Sequence, residues 1–130
     1  MRLIRHYSPL AIVRLPSDSE VPAWAQSGGF SSFTRTPEEL SIVCESRLVP
    51  PSLDRSNHWI RLEVEGPLSF SLVGVLAALT IPLAEAGVSV FAVATYDTDH
   101  LLIRSKEEQI AYEALTDAGH EIVTAGPSRP

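Results

Sequence analysis

Several features that mark other protein classes are scarce in this 130-residue sequence. It holds one cysteine, Cys44, which excludes an intrachain disulfide and suits a reducing compartment. Its ten Lys and Arg residues are scattered, and the net charge of −6 favours neither nucleic acid nor an anionic membrane as a partner. The longest apolar stretch, residues 72–86, is interrupted by Pro82 and Glu85 and is too short to span a membrane. We therefore expect a soluble, cytoplasmic protein.

Signatures of catalysis and of metal binding are also missing. The sequence contains no P-loop, no Gly-x-Ser-x-Gly and no Gly-x-Gly-x-x-Gly motif. Its histidines lie far apart and lack metal-ligand spacing, so each is expected at a strand end or on the surface; they are His6, His58, His100 and His120. We expect no catalytic residue, no metal and no cofactor, and we predict that the protein is not an enzyme.

Apolar residues make up 45% of the sequence, which is enough for a hydrophobic core. The chain is long enough for one domain or two small units. The first half has short elements interrupted by proline. They are a strand at residues 10–15, a short helical piece within 17–26, two strands of a hairpin at 30–35 and 40–44, and a connection at 45–57.

The second half is patterned more regularly. Its predicted elements are strands at residues 59–65, 88–95, 100–104 and 120–123, a helix at 72–86 and another that opens at 105–108. The first helix is apolar on nearly every side, which predicts a buried helix. The strand at 88–95 is apolar on both faces, which predicts a central strand. The apolar stripe of the second helix is expected at Ile110, Ala114, Leu115 and Ala118.

Pro82 should distort the predicted helix at residues 72–86. Proline has no backbone N–H, so the carbonyl of Ala78, four residues earlier, loses its helical donor. We therefore expect a kink or a local tightening of the helix at this point.

This order, β-α-β-β-α-β, is the ferredoxin-like arrangement. The first half repeats the order β-α-β-β in shortened form. We predict an α+β fold of two tandem units, with antiparallel sheets covered by helices on one face. The expected boundaries are 1–57 for an abbreviated N-terminal unit, 58–124 for the C-terminal unit and 125–130 for a loose tail.

Two segments of the second half, residues 66–74 and 82–99, resemble the small tandem ACT-domain proteins of bacteria and the related ACT domains of animal cytosolic arginine sensors. Residues 22–25 and 29–36 resemble the N-terminal half of the same bacterial family, so the resemblance covers most of residues 8–124. It implies tandem ACT units that act in regulation, pair as homodimers and bind amino acids. The arginine sensors carry an acidic residue near the helix entrance, where this sequence has Ser69 and Ser71, so the resemblance does not point to arginine.

The resemblance places a ligand where the strand at 59–65 meets the helix, beside the end of the next strand. An amino acid needs opposite charges close together. The opening of a helix offers free N–H groups to a carboxylate, and an aspartate can bind the ammonium group. We favour Asp99 for the ligand and Asp97 for the turn. The predicted ligand-binding residues are Leu68, Ser69, Phe70, Ser71, Leu72, Gly74, Thr95, Tyr96, Asp97 and Asp99.

Simpler interpretations stand beside this one. Ser69 or Ser71 is equally well a helix cap, and the Asp97–Asp99 sequence is typical of a hairpin turn. A ligand-free scaffold that forms dimers through its sheet is the alternative function, and Trp59 on the polar face of its strand favours it.

Overall fold

The computed structural model describes residues 1–69 and 73–126. Its strands are β1 Arg2–Leu15, β2 Ser31–Arg35, β3 Leu40–Glu45, β4 Ser56–Val64, β5 Phe91–Ala94, β6 Asp99–Arg104 and β7 Glu121–Thr124. Its α-helices are α1 Val75–Glu85 and α2 Glu108–Asp117. Short 3-10 turns lie at Ala23–Gln26, Ser46–Leu48 and Ser105–Glu107.

These elements form two compact units. The N-terminal unit is Ser8–Trp59, and the C-terminal unit combines Met1–Tyr7 with Ile60–Pro130. The first seven residues thus belong with the C-terminal unit, although the N-terminal unit follows them in sequence.

The N-terminal unit contains three antiparallel strands in the order β1–β3–β2. In β1, residues 10–15 pair with β3 from Leu10 opposite Glu45 to Leu15 opposite Leu40. The predicted hairpin is confirmed, because β2 pairs with β3 and the Thr36 N–H donates to the Glu39 carbonyl at 2.9 Å. The predicted helical piece is a four-residue 3-10 turn, Ala23–Gln26. Its buried core consists of Ala11, Val13, Ala25, Leu40, Ile42, Cys44 and Val49.

The C-terminal unit has the α+β fold predicted from the sequence, with two helices packed against its sheet. The strand order is β7–β1–β4–β6–β5, and the first residues of β1 run parallel to β7, from Arg2 opposite Glu121 to Arg5 opposite Thr124. The core between sheet and helices is formed by Leu3, Ile60, Leu62, Val64, Val75, Leu79, Leu83, Val88, Leu101, Ile103, Ala111 and Leu115.

The first eight residues of β1 were missed by the sequence analysis, which began the strand at residue 10. Charged side chains interrupt the apolar pattern there, and the pairing that makes this segment a strand is with residues more than 110 positions away. Arg5 is satisfied by an ion pair, its Nε lying 2.7 Å from Glu108 Oε2 on α2. Tertiary pairing therefore decided the structure of this segment.

The prediction that the 88–95 segment is a central strand was wrong. β5 is the outer strand of the described sheet, and its Ala92 and Ala94 are exposed. The strand buried on both faces is β6, where Leu101 and Leu102 point to opposite sides and neither is accessible. Small apolar residues tolerate an edge position, which is why hydrophobicity alone misplaced the strand.

The helices also differ from expectation in which faces they bury. α1 buries Val75, Leu79 and Leu83, but Ile81 is 56% exposed, so the expectation of a fully buried helix was wrong. In α2, Ile110 was predicted to join the apolar stripe and is instead 51% exposed. The buried residues of α2 are instead Ala111 and Leu115.

Two further side chains are buried. Trp59 is only 5% exposed and donates from Nε1 to Ser56 Oγ at 2.9 Å, so it does not offer the partner surface suggested from the sequence. Cys44 is also buried, and burial raises the pKa of its thiol. Among the described residues, no helix has both the length and the apolar character that crossing a membrane requires.

Candidate functional site

A pocket of about 260 Å³ lies in the C-terminal unit between the loop after β4, the start of α1 and the β5–β6 turn. Its lining residues are Leu68, Ser69, Val75, Ala94, Thr95, Tyr96, Asp97, Thr98 and Asp99. Apolar side chains, hydroxyl groups and two carboxylates are all present in this lining. Such a mixture suits a small polar molecule with an apolar part.

The two loops that wall the pocket are joined by backbone hydrogen bonding. The Leu68 N–H donates to the Asp97 carbonyl at 2.7 Å. This approach is close because residue 66 is glycine: a Cβ on Gly66 would lie 3.1 Å from the Asp97 carbonyl oxygen and 3.1 Å from Thr98 Cβ. The position of the loop after β4 is therefore set by the turn opposite it.

Two threonines hold the β5–β6 turn itself. The Thr95 N–H and the Thr95 hydroxyl both donate to the Thr98 carbonyl, at 2.9 and 2.8 Å. The hydroxyl of Thr98 is buried and donates to the Val64 carbonyl at 2.6 Å. The turn is thus attached to the end of β4, and Tyr96 and Asp97 form its exposed tip.

The pocket lining contains two carboxylates, those of Asp97 and Asp99. Among residues 1–69 and 73–126, neither Asp97 nor Asp99 has a side-chain hydrogen bond or an ion pair. Asp99 is the first residue of β6 and shares the strand face of Leu101 and Ile103, which point into the core beneath the helices. Asp97 is exposed in the turn. Both acidic groups therefore remain available to a cation.

The N-terminal end of α1 is electropositive, opposite in sign to the two carboxylates. Its N-cap is Gly74, with φ of 79° and no side-chain hydrogen bond to the cap. The first amide that bonds within the helix is that of Ala78, which donates to the Gly74 carbonyl at 2.9 Å. The amides before it point out of the helix end, where the macrodipole favours an anion. The space around the Gly74 Cα is open.

The structure brings together most of the residues predicted for the site. Leu68, Ser69, Thr95, Tyr96, Asp97 and Asp99 all line the pocket, and Gly74 stands at the adjoining helix end. Phe70, Ser71 and Leu72, also predicted for the site, lie outside the described residues.

Three lining residues were missed from the sequence: Val75, Ala94 and Thr98. Val75 and Ala94 have no chemical signature beyond being apolar. Thr98 carried a signal that was not used, because a threonine between two aspartates in a turn is placed to donate a hydrogen bond to the backbone.

Metal chemistry finds no support in the described part of the chain. No cluster of three His, Cys, Asp or Glu residues is arranged to hold a metal ion there. The chemistry that the pocket offers is the recognition of charge at two points, by the helix end and by the carboxylates.

Comparisons with known proteins agree with this geometry. A family model of the ACT domain matches residues 55–117, and a model of an N-terminal domain matches residues 9–52. The solved structure of protein Atu0741 from Agobacterium tumefaciens is 34% identical, with a TM-score of 0.92, over 99% of this chain and 96% of that chain.

Two more distant structures share the fold. Protein VC0802 from Vibrio cholerae is 24% identical, with a TM-score of 0.68, over 89% of this chain and 88% of its own. The regulatory subunit of aspartate kinase from Thermus thermophilus, in its ligand-free form, is 11% identical with a TM-score of 0.61. That alignment covers 88% of this chain and 94% of the subunit.

Proposed function

Because the chain is an ACT-domain protein of the same family as Atu0741 from Agobacterium tumefaciens, we propose that it is a non-catalytic regulatory module that binds an amino acid. The observation that carries the proposal is the pocket beside Asp99, which combines two carboxylates that have no side-chain partner among the described residues with the N-terminal end of α1. We further propose that the module works in the cytoplasm, where a lone buried thiol such as Cys44 stays reduced.

The two fields of the pocket match the two charges of an amino acid. The carboxylate of the ligand would lie at the start of α1, near Val75, and its ammonium group would reach Asp99. A hydrogen bond to a charged group contributes about 1.5–3 kcal/mol net. Asp99 is the better partner because it points toward the helices, whereas Asp97 belongs to the exposed turn.

The pocket volume also limits the size of the ligand. At about 260 Å³ it lies just below the range of roughly 300–1,000 Å³ typical of drug-sized ligands. A volume of this order favours a small ligand such as a free amino acid over a nucleotide or a peptide.

The N-terminal unit supports a tandem arrangement. Its strand order, β1–β3–β2, repeats the order β4–β6–β5 of the C-terminal unit, with the first strand of each beside the third. The intervening helix is reduced to the turn Ala23–Gln26 in one unit and is the full α1 in the other. We infer two related ACT units, of which the C-terminal one carries the ligand site. The proposed kinship with arginine sensors rests on the sequence resemblance alone.

Screening the proteinogenic amino acids for binding tests the proposal. Thermal unfolding of the full chain is recorded with each amino acid at millimolar concentration, and any hit is measured by calorimetry. A ligand at 100 times its Kd adds about 2.7 kcal/mol to the free energy of unfolding. If none of them raises the melting temperature, the proposed ligand class is wrong.

The Asp99→Asn variant locates the site. It keeps the size of the side chain but removes its charge, so we expect the affinity for the ligand to fall by about tenfold or more, the equivalent of about 1.4 kcal/mol. The matched control is Asp54→Asn, an exposed carboxylate in the N-terminal unit. An equal loss of affinity in both variants would show that overall charge, and not this pocket, governs binding.

A dimerisation scaffold remains the second candidate function. Its support is the exposed apolar surface at α1, where Val73 is 87% and Ile81 is 56% exposed. Sedimentation of wild type and of an Ile81→Lys variant distinguishes the two functions. A homodimer lost in the variant, in a protein that binds no amino acid, would favour the scaffold.

A further inference from the structure

A row of polar side chains crosses three strands of the C-terminal unit, away from the ligand pocket. His6 on β1 donates from Nε2 to Glu63 Oε1 on β4 at 2.8 Å. Arg61, also on β4, donates to the same oxygen at 3.4 Å and to His100 Nδ1 on β6 at 3.2 Å. These four residues alternate along their strands with core residues, so they occupy the sheet face opposite the helices.

The hydrogen bond from Arg61 fixes the protonation state of His100. A guanidinium only donates hydrogen bonds, so Nδ1 of His100 must accept, and the imidazole is neutral with its proton on Nε2. His100 is 7% exposed, and Arg61 has a side chain that is 11% exposed. A second proton on His100 would therefore place two cations in contact with little water between them.

The charged groups around His100 shift its pKa in both directions. Burial and the Arg61 guanidinium lower the pKa of His100, as does His6, while Glu63 and Asp99 raise it; the net direction is downward. His6 behaves alike, because burial and Arg61 lower its pKa more than Glu63 raises it. The folded protein thus holds both imidazoles neutral under conditions in which an unfolded chain would begin to protonate them.

We propose that this row is an acid-sensitive latch, in which protonation of His100 breaks its hydrogen bond with Arg61 and loosens the pairing of β4 with β6. At neutral pH the row links β1, β4 and β6 through consecutive hydrogen bonds. Below neutrality the proton displaces Arg61 from Nδ1, while the guanidinium keeps its contact with Glu63. The change requires the uptake of one proton by the His100 imidazole.

The sign of the pH effect follows from the two states. An imidazole whose folded pKa lies below its unfolded value of about 6.5 takes up its proton first in the unfolded chain. The stability that the latch provides is complete above that value. It falls as the pH drops below it, until the folded histidine is protonated as well. Most carboxylates stay ionised down to about pH 5, so the window between pH 7.5 and 5.0 reports mainly on histidine.

Nuclear magnetic resonance of the full chain tests the latch directly. We expect the His100 imidazole to show the Nε2–H tautomer at pH 7.5 and to titrate below the ordinary histidine value of about 6.5. An Nδ1–H tautomer, or a midpoint at or above that value, would overturn the proposal. This measurement needs no substitution.

A His100→Asn variant supplies the second test. The Asn side-chain oxygen can accept from Arg61 near the position of Nδ1, but it does not titrate. Between pH 7.5 and 5.0 the urea midpoint of wild type should fall, and that of His100→Asn should fall clearly less. The control is His58→Asn, which should match wild type; His58 has φ of 65°, a conformation that asparagine tolerates. Equal losses in all three proteins would contradict the latch.

Discussion

The clearest link from one residue to structure is Pro82, inside α1. Its missing N–H leaves the Ala78 carbonyl without a helical donor, as the sequence predicted, and His120 fills the vacancy by donating from Nε2 at 3.0 Å. A histidine expected at a strand end or on the surface thus donates to a helix carbonyl that lacks its helical donor. The sequence showed the orphaned carbonyl but not its partner, because the two residues are 42 positions apart.

Coupling between these two residues can be measured. We expect His120→Ala to reduce the free energy of unfolding by about 0.5–1.5 kcal/mol, the net value of one hydrogen bond. In a Pro82→Ala background the loss should be smaller, because the substitution restores a backbone N–H that can donate to the Ala78 carbonyl. Urea unfolding of wild type, both single variants and the double variant gives the coupling energy.

The other contacts of His120 cancel in that cycle, so the coupling reports on the Ala78 carbonyl alone. Strict additivity of the two substitutions would show that His120 does not replace the missing donor.

At the scale of elements, the ligand pocket depends on how the β5–β6 turn is attached to β4. The buried hydroxyl of Thr98 makes this attachment by donating to the Val64 carbonyl, and the Leu68 N–H adds a second link at Asp97. The pocket wall is therefore formed by hydrogen bonds between loops and not by a single rigid element. Stability and ligand affinity should respond together when the attachment is broken.

Replacement of Thr98 by valine tests this dependence. Thr98→Val keeps the shape of the side chain but removes the buried hydroxyl that donates to the Val64 carbonyl, so we expect a loss of about 1–3 kcal/mol in unfolding free energy. Affinity for any ligand found in the screen should fall as well. The control is Thr116→Val on α2, whose hydroxyl donates to the Tyr112 carbonyl in an exposed position. A change within about 0.5 kcal/mol is expected there.

If Thr98→Val were as stable as Thr116→Val, the turn would have to be held by the Thr95 and Asp97 backbone contacts alone.

Elements whose pattern is local were predictable, and those decided by distant partners were not. The β2–β3 hairpin follows from its turn residues, and α1 and α2 follow from their apolar content and glycine ends. The resemblance to ACT domains, and not a local pattern, indicated Ser69 and the 95–99 turn as parts of one site. The parallel pairing of β1 with β7 could not be predicted from any local sequence pattern, since it joins residues at opposite ends of the sequence.

The buried histidine on β6 was equally invisible from the sequence. His100 follows Asp99 at the start of β6, and a polar residue near a strand end is ordinarily expected to face solvent. Its burial depends on Arg61, which reaches it from the neighbouring strand. Polar contacts between strands require the register, and the register of β4 with β6 is a property of the folded sheet.

For the C-terminal unit as a whole, the notable feature is that it needs the first residues of the chain. β1 lies between β4 and β7, and Arg5 is 103 positions from its partner Glu108 at the start of α2. The guanidinium also lies 5.5 Å from the centre of the Tyr7 ring. The ion pair between Arg5 and Glu108 therefore links β1 to α2. Its contribution to the free energy of unfolding measures how firmly these two elements are held together.

The pH dependence of stability reports on this link between β1 and α2. The hydrogen bond from Arg5 lowers the pKa of Glu108 from its ordinary value of 4.5, against the opposing effect of burial. A carboxyl with a lowered folded pKa stabilises the protein fully above its unfolded value, and this contribution is lost as the pH falls through the folded pKa. We expect Glu108→Gln to cost about 1 kcal/mol at pH 7, since the pair is only partly buried.

At about pH 3 the difference in stability between wild type and Glu108→Gln should be smaller than at pH 7, because the contribution of the ionised carboxyl is lost as the pH falls below its unfolded pKa and through its lowered folded pKa. Urea unfolding at both pH values measures the difference. Glu113→Gln, an exposed carboxyl on the same helix that accepts a hydrogen bond from Gln109, is the control and should leave the acid response of wild type unchanged. A Glu108→Gln protein that lost as much stability on acidification as wild type would mean that the ion pair does not close the unit, and that strand pairing between β1 and β7 holds it instead.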